Sequence, residues 1–128
     1  MKFTIAATNC DRKGGNQVHK YLNLKEMLDM LTVAHTNYAT RPVFFTLDHR
    51  RCIANSITLS VYGDEYELTY DGDMKYITSN DMINMMRKIY ELYGDRLVKV
   101  AVETTPWNVT DLKFQTSGRD YCFICEKT

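Results

Sequence analysis

Lys20-Tyr21-Leu22-Asn23-Leu24-Lys25-Glu26-Met27 returns 55 positions later as Lys75-Tyr76-Ile77-Thr78-Ser79-Asn80-Asp81-Met82. Without gaps, residues 20–71 lie on residues 75–126, with 9 identities in 52 pairs. Met30, Tyr38, Arg41, Val43, Gly63 and Tyr66 fall on Met85, Tyr93, Arg96, Val98, Gly118 and Tyr121. The mismatches keep their character: Leu28/Ile83, Leu31/Met86, Phe45/Val100, Leu47/Val102, Ile57/Leu112, Leu59/Phe114 and Leu68/Phe123. Apolar positions that stay apolar at a fixed spacing mark a repeated structural unit. The pairing predicts an internal duplication with units 20–71 and 75–126.

Each unit opens on a helix. Asn23 followed by Glu26 is close to a capping box. Leu24, Met27, Leu28, Leu31, Ala34 and Tyr38 then recur at helical spacing, with Lys25, Glu26, Asp29 and Thr32 on the other side. That is one amphipathic helix. In the second unit Ser79 is the expected N-cap, and Met82, Ile83, Met86, Ile89, Tyr90 and Tyr93 are the buried stripe. Gly94 stands where a left-handed helix end belongs.

Three strands are expected after each helix. Val43, Phe45 and Leu47 alternate with Phe44, Thr46 and Asp48. Ile57, Leu59 and Val61 alternate with Thr58, Ser60 and Tyr62, and Tyr66, Leu68 and Tyr70 with Glu67 and Thr69. Val98–Val102, Leu112–Phe114 and Tyr121–Cys125 repeat them. Lys2–Thr8 alternates as an N-terminal strand, and Gly14-Gly15 breaks the loop after it. The expected fold is therefore α+β: a two-layer sandwich with a largely antiparallel sheet and two helices on one face. It comprises two αβββ units and an N-terminal strand, in a single domain over residues 1–128.

The chain has 128 residues, 16 basic and 16 acidic, for a net charge of zero. A strong generic nucleic-acid binder gains affinity by neutralising phosphates, and this balance argues against one. Residues 1–8 lack the apolar core of an export signal, so the expected location is the cytoplasm, or a host cytoplasm for a phage-encoded chain. There Cys10, Cys52, Cys122 and Cys125 are free thiols. No apolar run is long enough to span a membrane.

The chemistry-bearing patterns are sparse. Cys122-Phe123-Ile124-Cys125 lies in an alternating strand, so its thiols point to opposite faces. A zinc site needs more ligands at close spacing, and His19, His35 and His49 do not supply them. His35 is read as a packing residue with one hydrogen bond. Arg12-Lys13-Gly14-Gly15 lacks the spacing of a phosphate loop. No serine sits in a nucleophile elbow. No cofactor, metal or catalytic residue is expected.

The candidate contact residues come from comparing the two units, because exposed positions that differ are free to carry function. The loop at the first turn of the meander, His49-Arg50-Arg51-Cys52, is cationic where its mate, Thr104-Thr105-Pro106-Trp107, carries the only tryptophan. Arg and Trp are enriched at interface hot spots. The sheet face away from the helices should present Phe44 and Tyr62. Asp64, Glu65 and Glu67 form an acidic hairpin edge, read as solvated or as a dock for a basic partner. These eight residues, Arg50, Arg51, Trp107, Phe44, Tyr62, Asp64, Glu65 and Glu67, point to a small non-enzymatic protein-binding module. Its size fits the phage and mobile-element inhibitors of host defence nucleases, the anti-CRISPR type. The partner is then another protein, such as a nucleic-acid-processing host protein, or a second copy in a homodimer. The alternative is a nucleic-acid-binding domain using the open sheet face with Arg50 and Arg51.

The helix register is directly testable. Met27→Ala and Met82→Ala should each cost about 2–5 kcal/mol in urea denaturation, as buried truncations do. A neutral result at either position contradicts the register.

Overall fold

Asn23 caps the first helix as its sequence requires. In the computed structural model, which describes residues 21–60, 63–70, 76–102 and 105–127, helix α1 spans Leu24–Tyr38. The Asn23 side chain accepts from the Glu26 N–H, and the Glu26 carboxylate accepts from the Asn23 N–H. Leu24, Met27, Leu28, Leu31 and Ala34 are its buried stripe. Helix α2 spans Ser79–Tyr93 and buries Ser79, Met82, Ile83 and Met86. Its cap is Thr78, whose hydroxyl accepts from the Asp81 N–H, one residue before the expected Ser79. Ser79 is instead wholly buried and accepts from the Arg41 N–H at 3.1 Å. A tertiary bond claims the hydroxyl that local sequence assigned to the cap.

Both helices end in the same unusual backbone. Ala39 has φ 80°, ψ −178°, and Gly94 has φ 84°, ψ −166°. This is not the left-handed helical conformation expected at Gly94, whose ψ lies near +47°. It is a region that essentially only glycine occupies.

The strands are β1 (Pro42–Leu47), β2 (Arg50–Cys52), β3 (Ala54–Leu59), β4 (Glu65–Tyr70), β5 (Ile77–Thr78), β6 (Leu97–Val102), β7 (Thr105–Lys113) and β8 (Tyr121–Lys127). They form one sheet in the order β2-β1-β8-β7-β6-β4-β3, with β5 pairing β1. β1 pairs β8 in parallel and β4 pairs β6 in parallel; the other pairs are antiparallel. The terminal strands of this path, β2 and β3, are separated in the chain by Ile53 alone. The sheet therefore curls on itself.

Three expected positions differ in the structure. Asp48 and His49 both have positive φ, and Leu47 pairs Arg50, so the hairpin turn is the two residues between them. Arg50 and Arg51 consequently lie in β2 rather than in a loop. The next strand begins at Ala54, before the expected Ile57. Phe114 lies just past the end of β7. The N-terminal strand Lys2–Thr8, the Gly14-Gly15 loop, Cys10, His19, Val61 and Tyr62 lie outside the described residues.

Pairings recur at an offset of 55. Val43↔Tyr121 is matched by Val98↔Tyr66, and Ile57↔Leu68 by Leu112↔Phe123. The register shift between Ala54 and Ser56 has its counterpart between Val109 and Asp111. The Leu24 N–H donates to Arg96 O and the Ser79 N–H to Arg41 O. The inward strand residues and both helix stripes merge into one core, with Phe45 stacked on Phe123 at 5.2 Å.

Ala39 is the strained position. Ala39→Gly should stabilise the fold by about 1 kcal/mol, the relief of that backbone less the added chain entropy of glycine. Gly94→Ala should cost about 1–3 kcal/mol. A Cβ there would meet nothing within 4 Å, so the cost is backbone strain alone. Urea midpoints of the two variants should move in opposite directions.

Candidate functional site

Alternation along β1 and β8 buries Val43, Phe45, Leu47, Tyr121, Phe123 and Cys125 and turns Phe44, Thr46, Cys122 and Ile124 outward. The parallel register sets Phe44 beside Cys122 and Thr46 beside Ile124. Thr46 Oγ1 and Cys122 Sγ are hydrogen-bonded. Arg51, opposite Thr46 on β2, lays its guanidinium over the Phe44 ring at 4.0 Å. It also donates to Asp120 at 2.6 Å, while half of its side chain remains exposed. Fixed at both ends, this arginine presents a preformed cationic and aromatic surface.

Beside it opens a cleft of about 730 Å³, lined by residues 112–115, Gly118, Arg119, Asp120 and Cys122. Arg41 anchors the turn that carries Gln115. Only 9% exposed, Arg41 donates through Nη1 to Gln115 O and through Nη2 to Thr116 O, both at 2.8 Å. Its guanidinium lies 5.0 Å from the Tyr121 ring and 5.7 Å from the Tyr38 ring. The Tyr121 hydroxyl donates towards Ala39 O at 2.6 Å and Ala34 O at 3.0 Å.

The offset of 55 applies here too. The Tyr66 hydroxyl donates to Gly94 O at 2.6 Å, and Arg96 donates to Gly63 O. The outer chemistry differs. At the β4–β6 seam Lys99 and Glu67 replace Phe44 and Cys122, and Lys99 pairs Glu65 at 3.4 Å. Asp64 is exposed and accepts from the Ser60 hydroxyl at 3.1 Å.

The structure thus brings Phe44 and Arg51 together, with exposed Arg50 on the same short strand. Asp64, Glu65 and Glu67 lie together on the other seam. Trp107 is at neither: half-buried, it pairs Val100 and Lys127 in β7 and packs against the core. The sequence comparison missed Asp120, Lys113 and Arg119. Their signal was present, since their offset mates are Glu65, Thr58 and Asp64. Asn108-Val109-Thr110 matches the N-glycosylation pattern, but Asn108 is 4% exposed and paired within β7, so that side chain is sealed in this fold.

Cys122 and Cys125 do face opposite sides, one half-buried and one buried. Burial pushes the Cys125 thiol up, and burial pushes Cys52 up to about 11. His35 Nδ1 lies 2.8 Å from Ser79 Oγ, tying α1 to α2. Among the described residues no group of His, Cys, Asp and Glu could hold a metal. Nor is any described helix long and apolar enough to cross a membrane. In comparisons with known proteins, no family model, curated protein or solved structure matches this chain.

The raised Cys52 thiol should make stability fall at high pH. Folded Cys52 keeps a proton that the unfolded chain releases near its ordinary value of 9.0, because burial favours the neutral form. That contribution is complete below pH 9 and is lost as pH rises to about 11. Cys52→Ala should therefore show a shallower fall in urea stability across this window than the parent chain.

Proposed function

We propose that the chain is a small protein-binding module built on an internally duplicated αβββ unit, contacting its partner through the outer face of the β1–β8 seam. The single observation that carries the binding reading is Arg51, held over Phe44 and against Asp120 while half exposed. An arginine ordered before binding gives up little side-chain freedom in a complex. Arginine and aromatic residues are the enriched anchors of protein interfaces. The offset positions carry Pro106, Lys99 and Glu65, so the β4–β6 seam does not reproduce this surface.

Three observations support the duplication. The helices share a length of 15 residues, the pairings recur at one offset, and each helix end is bonded by a tyrosine from the other half. Duplicated scaffolds with one altered face keep the fold and free a surface for recognition. An inhibitor of the anti-CRISPR type is one partner relationship such a module could serve, and the capture experiment identifies it by the protein retained.

Arg50→Ala combined with Arg51→Ala should leave the melting temperature nearly unchanged, since exposed ion pairs contribute about 0–1 kcal/mol. The same variant should lose the protein that the parent chain retains from lysate, read by mass spectrometry. Retention of the same protein by both chains would overturn the reading. A salt-steep gel shift with nucleic acid, abolished by the same pair, would replace it with the nucleic-acid alternative.

A further inference from the structure

We propose that the cleft beside β7 and β8 receives an acidic side chain of a protein partner, its carboxylate held by Lys113 and Arg119. This rests on the protein-binding reading and narrows it to one chemistry. The turn that walls the cleft is tied to the rest of the fold. Arg41 holds the carbonyls of Gln115 and Thr116, and the Gly118 N–H donates to Gln115 O at 2.9 Å. The Phe114 ring, 37% exposed, lies edge-on to Tyr121 at 5.4 Å and 5.2 Å from Tyr38. These contacts brace the walls that a ligand would meet, which lowers the ordering cost of binding.

Charge decides what fits. Of the three charged groups lining the cleft, Asp120 is already neutralised by Arg51 at 2.6 Å. Lys113 and Arg119 are exposed, and neither side chain has a hydrogen bond or ion pair among the described residues. The cleft thus retains positive charge beside an exposed aromatic ring. The positions offset by 55 reverse this character. Thr58 stands for Lys113, Asp64 for Arg119 and Glu67 for Cys122. One half of the chain attracts an anion where the other repels it. Two cations flanking a cleft suit a single carboxylate through charge-assisted hydrogen bonds. They do not make the phosphate-neutralising track that nucleic acid needs, and Asp111 and Asp120 interrupt the same surface.

The test is an amide-resolved NMR titration of the full chain. The probes are a short blocked peptide of Glu and Phe, its Gln counterpart, and oligothymidylate of about ten nucleotides. The Glu peptide should shift the amides of residues 113–122 and saturate. Lys113→Glu with Arg119→Glu should weaken that binding about tenfold, as should the Gln peptide. Both side chains are exposed, so the melting temperature should hold; Lys113→Gln with Arg119→Gln gives the same reading without added negative charge. The proposal is overturned by absent shifts, by shifts confined to residues 64–67, by indifference to the charge changes, or by tighter binding of the oligonucleotide at these amides. Partner capture that survives the Lys113 and Arg119 changes but not the Arg50 and Arg51 changes sinks the cleft alone and leaves the protein-binding reading standing.

Discussion

Two tyrosine hydroxyls hold this structure in register. Tyr121, on β8, donates towards the carbonyl of Ala39 at the end of α1, and Tyr66, on β4, donates to that of Gly94 at the end of α2. Each bond joins a strand from one half of the chain to a helix from the other. A helix end leaves carbonyls without intrahelical partners, and burying them unsatisfied would be costly. The tyrosines satisfy them and in doing so help fix the register of each parallel seam, because Tyr121 sits opposite Val43 and Tyr66 opposite Val98. The arginines follow from this placement. Arg41 packs over Tyr121 and Arg96 over Tyr66, at 5.0 and 5.9 Å, and each reaches a turn carbonyl beyond its ring.

The surface chemistry is a consequence of that frame. With the parallel seam set, strand alternation dictates that Phe44 and Cys122 emerge side by side on the outer face. Arg51 can then bridge Phe44 and Asp120, which belong to opposite halves of the chain. Because Arg41 restrains the turn through Gln115 and Thr116, the adjoining cleft keeps its walls. The same arginine that secures the fold therefore shapes the proposed recognition surface.

Ala39 shows a tension between scaffold and sequence. Its backbone is one that glycine adopts freely, and Gly94 has a glycine there. The Tyr121 hydroxyl and the Ala39 N–H bond to His35 O over-determine the conformation, so alanine is held in it. Strain of this kind persists where surrounding bonds outweigh it.

The helices, the capping box at Asn23, the buried faces of β1, β4, β6 and β8 and the opposed thiols of Cys122 and Cys125 were all legible from residue order. Each is set by local spacing: 3.6 residues per turn or two per pleat decides which side chains share a face. The matched residues Tyr38, Arg41, Gly63 and Tyr66 with their mates were also visible, but not their task. The parallel seams, the cap at Thr78 in place of Ser79, the placement of Arg50 and Arg51 in a strand, and the contact of Arg51 with Phe44 and Asp120 were decided only in three dimensions. Pairing between distant strands depends on which neighbour the curled sheet brings alongside, and no local periodicity encodes that choice. Trp107 makes the same point: composition marks it as a contact residue, while its place against the core is set by strands far from it in the chain.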